Sequence, residues 1–469
     1  MNNTNKILVL GAGRSAGYLI AYLDEFCIKT GRSLCVCDRQ FGELRSVFGI
    51  SEGVEFVTLD VTDKESLWNQ IAGAALVVSL LPPALHVLAA EGCLEHGKSL
   101  FTASYISPAM RAMGEAVEGE GLLFMNELGL DPGIDHLCVN AMMDKLHAEN
   151  AGLEEESQWR LVGFESYCGG LVAESGDKSN PWKYKFSWNP TNVILAGQGG
   201  ESVYREHGDE KRIGWQEVFA SAKTIELPGV GVFDVYPNRD SLGYEEVYGM
   251  TGVPTLVRGT LRRQGYCDAW QCLVESGFTQ NDVFFDEEVT SPETAFQWIT
   301  GYDNQLDWID EQLAYRFSWS EDRLLQLEEK LTFLQLANSK FWLDNGLLEN
   351  WEWKAKSVAA YLEHLLLLQW RLEDNDKDEV VMAHILHLEN GKKQKKELVS
   401  VMCVQGESKD KTAMAKTVGL PLAMGVEVFL ENDIKEVGVR LPWGEVWYRL
   451  LLPQLEKFGV KFVESERFS

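Results

Sequence analysis

The sequence predicts an α/β chain: a Rossmann-type, doubly wound parallel sheet, then a mixed-sheet α+β substrate domain and an α-helical domain. Three observations carry this. Four apolar residues, Ile7 to Leu10, run straight into Gly11-Ala12-Gly13-Arg14-Ser15-Ala16, and further short apolar runs alternate with helical stretches to about residue 127. From about 155 to 290, alternating strands are separated by long Gly-, Asn- and Pro-rich loops. From about 290 to 373 the pattern is helical, with Leu324, Leu327, Leu331 and Leu334 at three- and four-residue steps.

The first strand opens on a glycine turn of the form G-x-G-x-x-A. Gly11 permits the tight bend, Gly13 lets backbone approach a diphosphate, and Ala16 is small enough for the helix to sit close on the strand. The helix N-terminus offers unpaired N–H groups and a partial positive charge. The second strand, Leu34 to Cys37, closes on Asp38 about twenty residues on, as a dinucleotide fingerprint requires. A carboxylate there bonds the adenosine ribose hydroxyls and favours NAD, while Arg39 and Arg14 keep NADP open.

The third strand, Val54 to Leu59, ends in Asp60 and Val61. The fourth, Ala75 to Ser79, ends in Leu80-Leu81-Pro82. The fifth, Ser99 to Thr102, leads to Ser104 and Tyr105, and the sixth, Leu122 to Met125, to Asp131-Pro132-Gly133. Ligands of such sheets bind beyond the carboxyl ends of the strands. The expected cofactor rim is therefore Gly11 to Ala16, Asp38, Arg39, Asp60, Val61, Ser79 to Pro82, and Ser104.

The expected domains are 1–130, rejoined by 405–469; 131–290 with 378–404; and a helical 291–377. Ser320 with Glu321 and Asp322 makes a helix start. Seven of the fifteen tryptophans fall between 290 and 373, a pattern more typical of core or oligomer interface than of a cofactor site. Asn390-Gly391 signals a two-residue hairpin turn between Val380–Leu388 and Glu397–Val404.

A net charge of −28 makes a poor footprint for nucleic acid or an anionic membrane. The nine cysteines show no C-x-x-C, and Cys35 and Cys37 alternate with apolar residues as buried thiols would, so we expect reduced cysteines in the cytoplasm. The polar N-terminus entering the first strand directly suggests no signal peptide. The eight histidines show no metal spacing, since His384 and His387 face opposite ways on a strand. There is no G-x-S-x-G and no P-loop Lys-Ser/Thr.

Other residues are candidates for chemistry. Asp131 and Pro132 read as a helix N-cap and first residue, and equally as a carboxylate facing the nicotinamide and an amine substrate. Asp135 and His136, one turn in, read as structural. Glu165 to Gly170 reads as a segment following a strand, with Gly169 and Gly170 offering amides to a carboxylate and Cys168 a titratable thiol or a small buried hydrophobe. Lys185 in the aromatic loop Asn180–Trp188 can act as a point charge, and Arg239 can pair bidentately with a carboxylate.

These stretches resemble the glutamate-forming saccharopine dehydrogenases, or saccharopine reductases. The similarity lies in Val9–Ser15, Val78–Pro82, Ser104–Met110, Glu127–His136, Glu165–Gly170, Asn180–Trp188, Tyr236–Ser241, Arg258–Leu261 and Thr412–Pro421. The resemblance implies that glutamate and 2-aminoadipate 6-semialdehyde condense to an imine, which a reduced nicotinamide converts reversibly to saccharopine, a reaction of lysine metabolism. It implies a homodimer and small-molecule amino-acid substrates. It marks Ser104, Tyr105, Asp131, Cys168, Gly169, Lys185 and Arg239 as cleft residues, with Asp131, Tyr105 and Cys168 the candidates for handling a proton. Departures are Leu171 to Glu174 where the family has a nearby proline, Asn189-Pro190 where Ser-Pro is common, and Asp38, where NADP-using members often lack an acid.

Overall fold

The computed structural model describes residues 5–174, 176, 178–196, 198, 200–348 and 357–468. The chain divides into two compact units, residues 1–159 with 402–463 and residues 160–401 with 464–469.

In the first unit the strands β1 (Lys6–Leu10), β2 (Ser33–Asp38), β3 (Glu55–Thr58), β4 (Leu76–Ser79), β5 (Ser99–Thr102) and β6 (Leu123–Met125) form one sheet. The strand Gly438–Arg440 joins it, giving the order Gly438–Arg440, β6, β5, β4, β1, β2, β3, parallel throughout. Chain order reverses between β1 and β4, the switch point at which open sheets of this type bind ligands. Ile7 to Leu10 have no exposed surface, as expected of a strand covered on both faces.

The helix Ala413–Glu431 is long and apolar enough to cross a membrane by length and composition, yet 67% of its apolar window is buried within the protein. It lies against the helix Ala16–Thr30. A Cβ on Gly419 would stand 2.9 Å from the Ser15 carbonyl oxygen and 3.1 Å from the Leu19 nitrogen. Close packing behind the glycine turn thus depends on a glycine some 400 residues downstream as well as on Ala16.

The second unit is built on a nine-stranded sheet. Its strands are β7 (Trp159–Val172), β8 (Ser202–Glu206), β9 (Asp209–Ile213), β10 (Lys223–Leu227), β11 (Gly231–Pro237), β12 (Thr255–Arg263), β13 (Asp378–Asn390), β14 (Lys395–Gln405) and the final strand Phe462–Phe468. The main order is β10, β11, β12, β7, β13, β14, then the final strand; β8 pairs with β12 and β9. β12 runs parallel to β7 and antiparallel to β11, so the sheet is mixed. The helices between 266 and 369 belong to this unit and close over an aromatic core that includes Trp182, Tyr184, Tyr266, Trp270, Trp308, Trp342, Tyr361 and Trp370. Of the seven tryptophans between 290 and 373, Trp351 and Trp353 lie outside the described residues. The helix Glu321–Phe333 starts directly after Ser320 and buries Leu327 and Leu331.

Three local readings are corrected. The hairpin at Asn390 spans four residues before β14, because the Asn390 side chain accepts the amides of Lys392 and Gln394, each at 3.0 Å, and so stabilises a wider loop than the Asn-Gly pair alone suggests. The helix after Asp131 begins at Ile134 with Gly133 as its N-cap, so Asp131 and Pro132 stand outside it. Gly133 has φ +144, and a Cβ there would lie 2.1 Å from the Gly129 carbonyl oxygen, so the chain folds too tightly for an earlier start. Glu165 to Gly170 lies within β7.

Gly419→Val should force the two packed helices apart. We expect a cost of about 1–3 kcal/mol, read as a lower midpoint in chemical denaturation, with weaker dinucleotide binding because the displaced backbone includes Ser15.

Candidate active site

The glycine turn is fixed from two sides. Gly11 donates its amide to the Cys37 carbonyl at 2.9 Å, and Leu80 donates to Leu10 at 2.8 Å. Gly11 has φ +104, and a Cβ there would stand 2.9 Å from the Leu80 carbonyl oxygen, so only glycine fits between β1 and the end of β4. The Asp38 carboxylate forms a third tie: it accepts from the Ala12 amide at 2.6 Å, from Arg39 at 2.6 Å and from Gln40 at 3.2 Å. Arg14 and Arg39 are exposed.

These groups fit a dinucleotide. The helix Ala16–Thr30 has no acidic side chain in its first turn, and Ser15 places no side-chain cap on it, so its N-terminal amides keep their capacity to bind an anion. A Cβ on Gly13 would meet no protein atom within 4 Å. Glycine at 13 thus keeps open a space the protein itself does not fill. At the next strand end, Thr62 bonds Asp60 through its amide at 3.0 Å and its hydroxyl at 2.7 Å and holds that carboxyl below its usual range. Val61 is buried beside it, while Pro82 and the half-buried Leu80 flank the buried Leu81 beyond β4.

A residue that the sequence reading passed over links this rim. His86 is buried; its Nδ1 lies 2.8 Å from the Ser79 hydroxyl and its Nε2 lies 2.8 Å from the Ser104 hydroxyl. Burial lowers its pKa to about 4, so the ring is neutral at pH 7. One ring nitrogen then donates and the other accepts, which sets the two serine hydroxyls in opposite senses. The only sequence signal was position: His86 opens a helix just after the β4 loop.

Tyr105 and Asp131 are brought together, with the Tyr105 hydroxyl 3.5 Å from the Asp131 carbonyl oxygen, a long contact. Behind them the buried Glu127 accepts the Ile106 amide at 3.0 Å, donates its own amide to the Ser104 carbonyl, and meets His136 Nε2 at 3.0 Å. Asp135 lies 3.7 Å from the other His136 nitrogen. Asp135 and His136 are therefore structural, as the sequence suggested, and they brace the Ser104–Ile106 loop through Glu127.

The remaining candidates belong to the second unit. Cys168 is buried on β7 opposite Thr260 of β12. Pro237 pairs with the adjacent Gly259, and Arg239 follows two residues later, exposed, with φ +56. Gly169 has a packing reason of its own, since a Cβ there would lie 2.3 Å from the Leu261 carbonyl oxygen. With Gly170 it sits inside a strand and forms no amide-lined turn. Lys185 is corrected more sharply: it is 3% exposed and its Nζ lies 2.6 Å from an Asp376 carboxylate oxygen. A buried ammonium needs such a partner, and this one is already paired within the protein. Among the described residues no three His, Cys, Asp or Glu side chains form a metal-binding group.

Two family models match in tandem: the saccharopine dehydrogenase NADP binding domain over residues 7–125 and the saccharopine dehydrogenase C-terminal domain over residues 129–460. The chain belongs to the saccharopine dehydrogenase family. It is 30% identical to the NADP(+)-dependent, L-glutamate-forming saccharopine dehydrogenase of Pyricularia oryzae, covering 98% of this chain and 99% of that protein. It is 32% identical to an alpha-aminoadipic semialdehyde synthase of Arabidopsis thaliana over 90% of this chain, though the match spans only 39% of that longer protein. The apo saccharopine dehydrogenase (L-Glu forming) of Saccharomyces cerevisiae has the same fold, with a TM-score of 0.82 and 26% identity over 99% of this chain and all of that one. The family's NADP-binding model ends at residue 125, at the end of β6, so the rim from Gly11 to Ser104 lies within it.

Two measurements test this rim. Asp38→Ala removes both the ribose acceptor and the Ala12 tie; NADH affinity by calorimetry should fall about tenfold or more, about 1.4 kcal/mol, and NADPH affinity less. His86 makes stability pH-dependent. The unfolded histidine takes up a proton below about pH 6.5, the folded one only near 4, so stability falls as pH drops through that window and levels off below it. The full loss, reached below pH 4, is of order 3 kcal/mol, and about 2 kcal/mol of it falls between pH 7 and pH 5; His86→Gln should remove that ~2 kcal/mol from the stability difference read by urea denaturation at the two pH values.

Proposed function

We propose that this chain is a saccharopine reductase: an oxidoreductase that uses NADP or NAD to reduce the imine of glutamate and 2-aminoadipate 6-semialdehyde to saccharopine, and that runs in reverse to release glutamate. The observation that carries this reading is end-to-end correspondence with the glutamate-forming enzyme of Pyricularia oryzae, covering 98% of one chain and 99% of the other.

The bound nicotinamide supplies the two electrons as hydride. The protein's tasks are then to hold, orient and handle one proton. Amides of Gly11 to Ala16 hold the diphosphate. Asp38 faces the adenosine ribose, and Arg14 and Arg39 stand ready for a 2′-phosphate. His86 keeps the Ser79 and Ser104 hydroxyls in fixed senses along the rim. Reduction of C=N to CH–NH takes up one proton, and we assign its delivery to the Tyr105–Asp131 pair, with Cys168 the third candidate. With Lys185 already paired, Arg239 is the cation we assign to a substrate carboxylate.

We further propose a cytoplasmic homodimer. The nine cysteines are free thiols and eight of them are buried, which suits a reducing compartment. Light scattering should give twice the chain mass.

Purified protein with the semialdehyde, glutamate and NADPH or NADH should consume the reduced cofactor. Arg239→Ala should raise the KM for the carboxylate substrates about tenfold or more with a smaller change in kcat, and Asp131→Asn should lower kcat about 10²-fold. Cofactor binding without oxidation under every pairing would overturn the assignment.

A further inference from the structure

A cavity of about 1160 Å³ lies within the second unit, between Val172–Glu174, Lys178–Lys183, the end of β12 and the helix Glu321–Phe333. None of Cys168, Gly169, Gly170, Lys185 or Arg239 lines it. Its walls carry four cations, Lys178, Lys183, Arg263 and Lys330, and three acids, Glu174, Glu328 and Glu329, all exposed, of which Glu174 lies 3.9 Å from Arg263. Arg263 is held by the buried Glu379. Lys178 and Lys183 are exposed.

Lys330 is different. It is 4% exposed, it lines the cavity, and its ammonium has no hydrogen bond or ion pair among the described residues. The two carboxylates with most influence on it beyond its own helix, Asp234 and Asp268, form no hydrogen bond or ion pair with it. Asp234 accepts the Gly265 amide at 2.8 Å, and Asp268 is gripped by the Arg323 guanidinium through two bonds of 2.6 Å. Gly265 leaves the ammonium room, for a Cβ there would stand 3.1 Å from Nζ. Burial, with Lys183 nearby, lowers the Lys330 pKa to about 8, the mark of an ammonium short of counter-charge. A buried lysine that keeps a charge takes a partner. Lys185, in the same unit, has Asp376; Lys330 has a cavity.

We propose that this cavity binds a small anionic metabolite through a carboxylate or phosphate group, with Lys330 as the buried anchor and Lys183 as a second contact at the mouth. None of the residues assigned to the reaction lines this cavity, and its occupancy is read by binding alone.

Calorimetric titration of the full chain with inorganic phosphate and, separately, with citrate tests it. At least one probe should bind at a single site, and the one that does identifies the preferred group. Lys330→Met should weaken that binding tenfold or more, with circular dichroism and NADPH affinity unchanged. Should that variant fail to fold, Lys183→Ser, at an exposed position, should still weaken binding severalfold. Arg239→Ala should bind the probe as the wild type does. Binding of neither probe, equal affinity in the folded lysine variants, or loss of binding in Arg239→Ala would overturn the proposal, and none of these results bears on whether the chain oxidises NADPH.

Discussion

The Asp38 carboxylate is the tie on which the nucleotide half of this protein depends. A glycine turn between a strand and a helix is a flexible device, because glycine has the largest conformational freedom to lose on ordering. Here the freedom is removed by three amides converging on one carboxylate, from Ala12, Arg39 and Gln40. The end of β2 thereby sets the shape of the loop after β1, and the Leu80 carbonyl leaves no room for a Cβ at Gly11. A carboxylate has about four acceptor sites, so one bonded this way still has capacity for a ribose hydroxyl. Loop geometry and cofactor discrimination rest on the same atoms, and an acid here can persist for the first reason in a family whose model is named for NADP.

Buried polar groups do the same work elsewhere in the first unit. The Ser79–His86–Ser104 chain joins the ends of β4 and β5, and Glu127 with His136 joins the end of β6 to the loop after β5. Each bridges adjacent strand ends, where loop backbone would otherwise be free to move. Desolvated networks of this kind are stiff because breaking one bond leaves a buried polar group unpaired. The rim is thus held in part by His86, Glu127 and His136, side chains that themselves need never touch a ligand.

The first half of the fold was legible because its signals are local. Apolar runs of four or five residues, a glycine turn and an acid about twenty residues later are short-range patterns with one common solution. The strand-end positions followed from chain order alone. What escaped was non-local. Gly419 meets the Ser15 backbone from the far end of the chain, and His86 looks in sequence like any histidine at a helix start. In the second unit, Gly169-Gly170 suggested a ligand-binding turn, but glycine inside a strand also answers a neighbour's close approach, here the Leu261 carbonyl. The aromatic residues of Asn180–Trp188 proved to be core, with Trp182, Tyr184 and Phe186 all buried.

Charged residues show the difficulty most plainly. Lys185 sits in a motif with aromatics and stood out in the sequence; Lys330 sits on an ordinary amphipathic helix and did not. Both are buried to nearly the same degree, 3% and 4% exposed. Composition and periodicity cannot separate them, because what separates them is the position of one carboxylate. Asp376 lies against Lys185, whereas Asp234 and Asp268, bonded to the Gly265 amide and to Arg323, form no ion pair with Lys330. A cation neutralised inside the fold is part of the structure. A buried cation that no acid of the fold reaches has its interaction available to whatever enters from solvent, and that distinction exists only once the chain has folded.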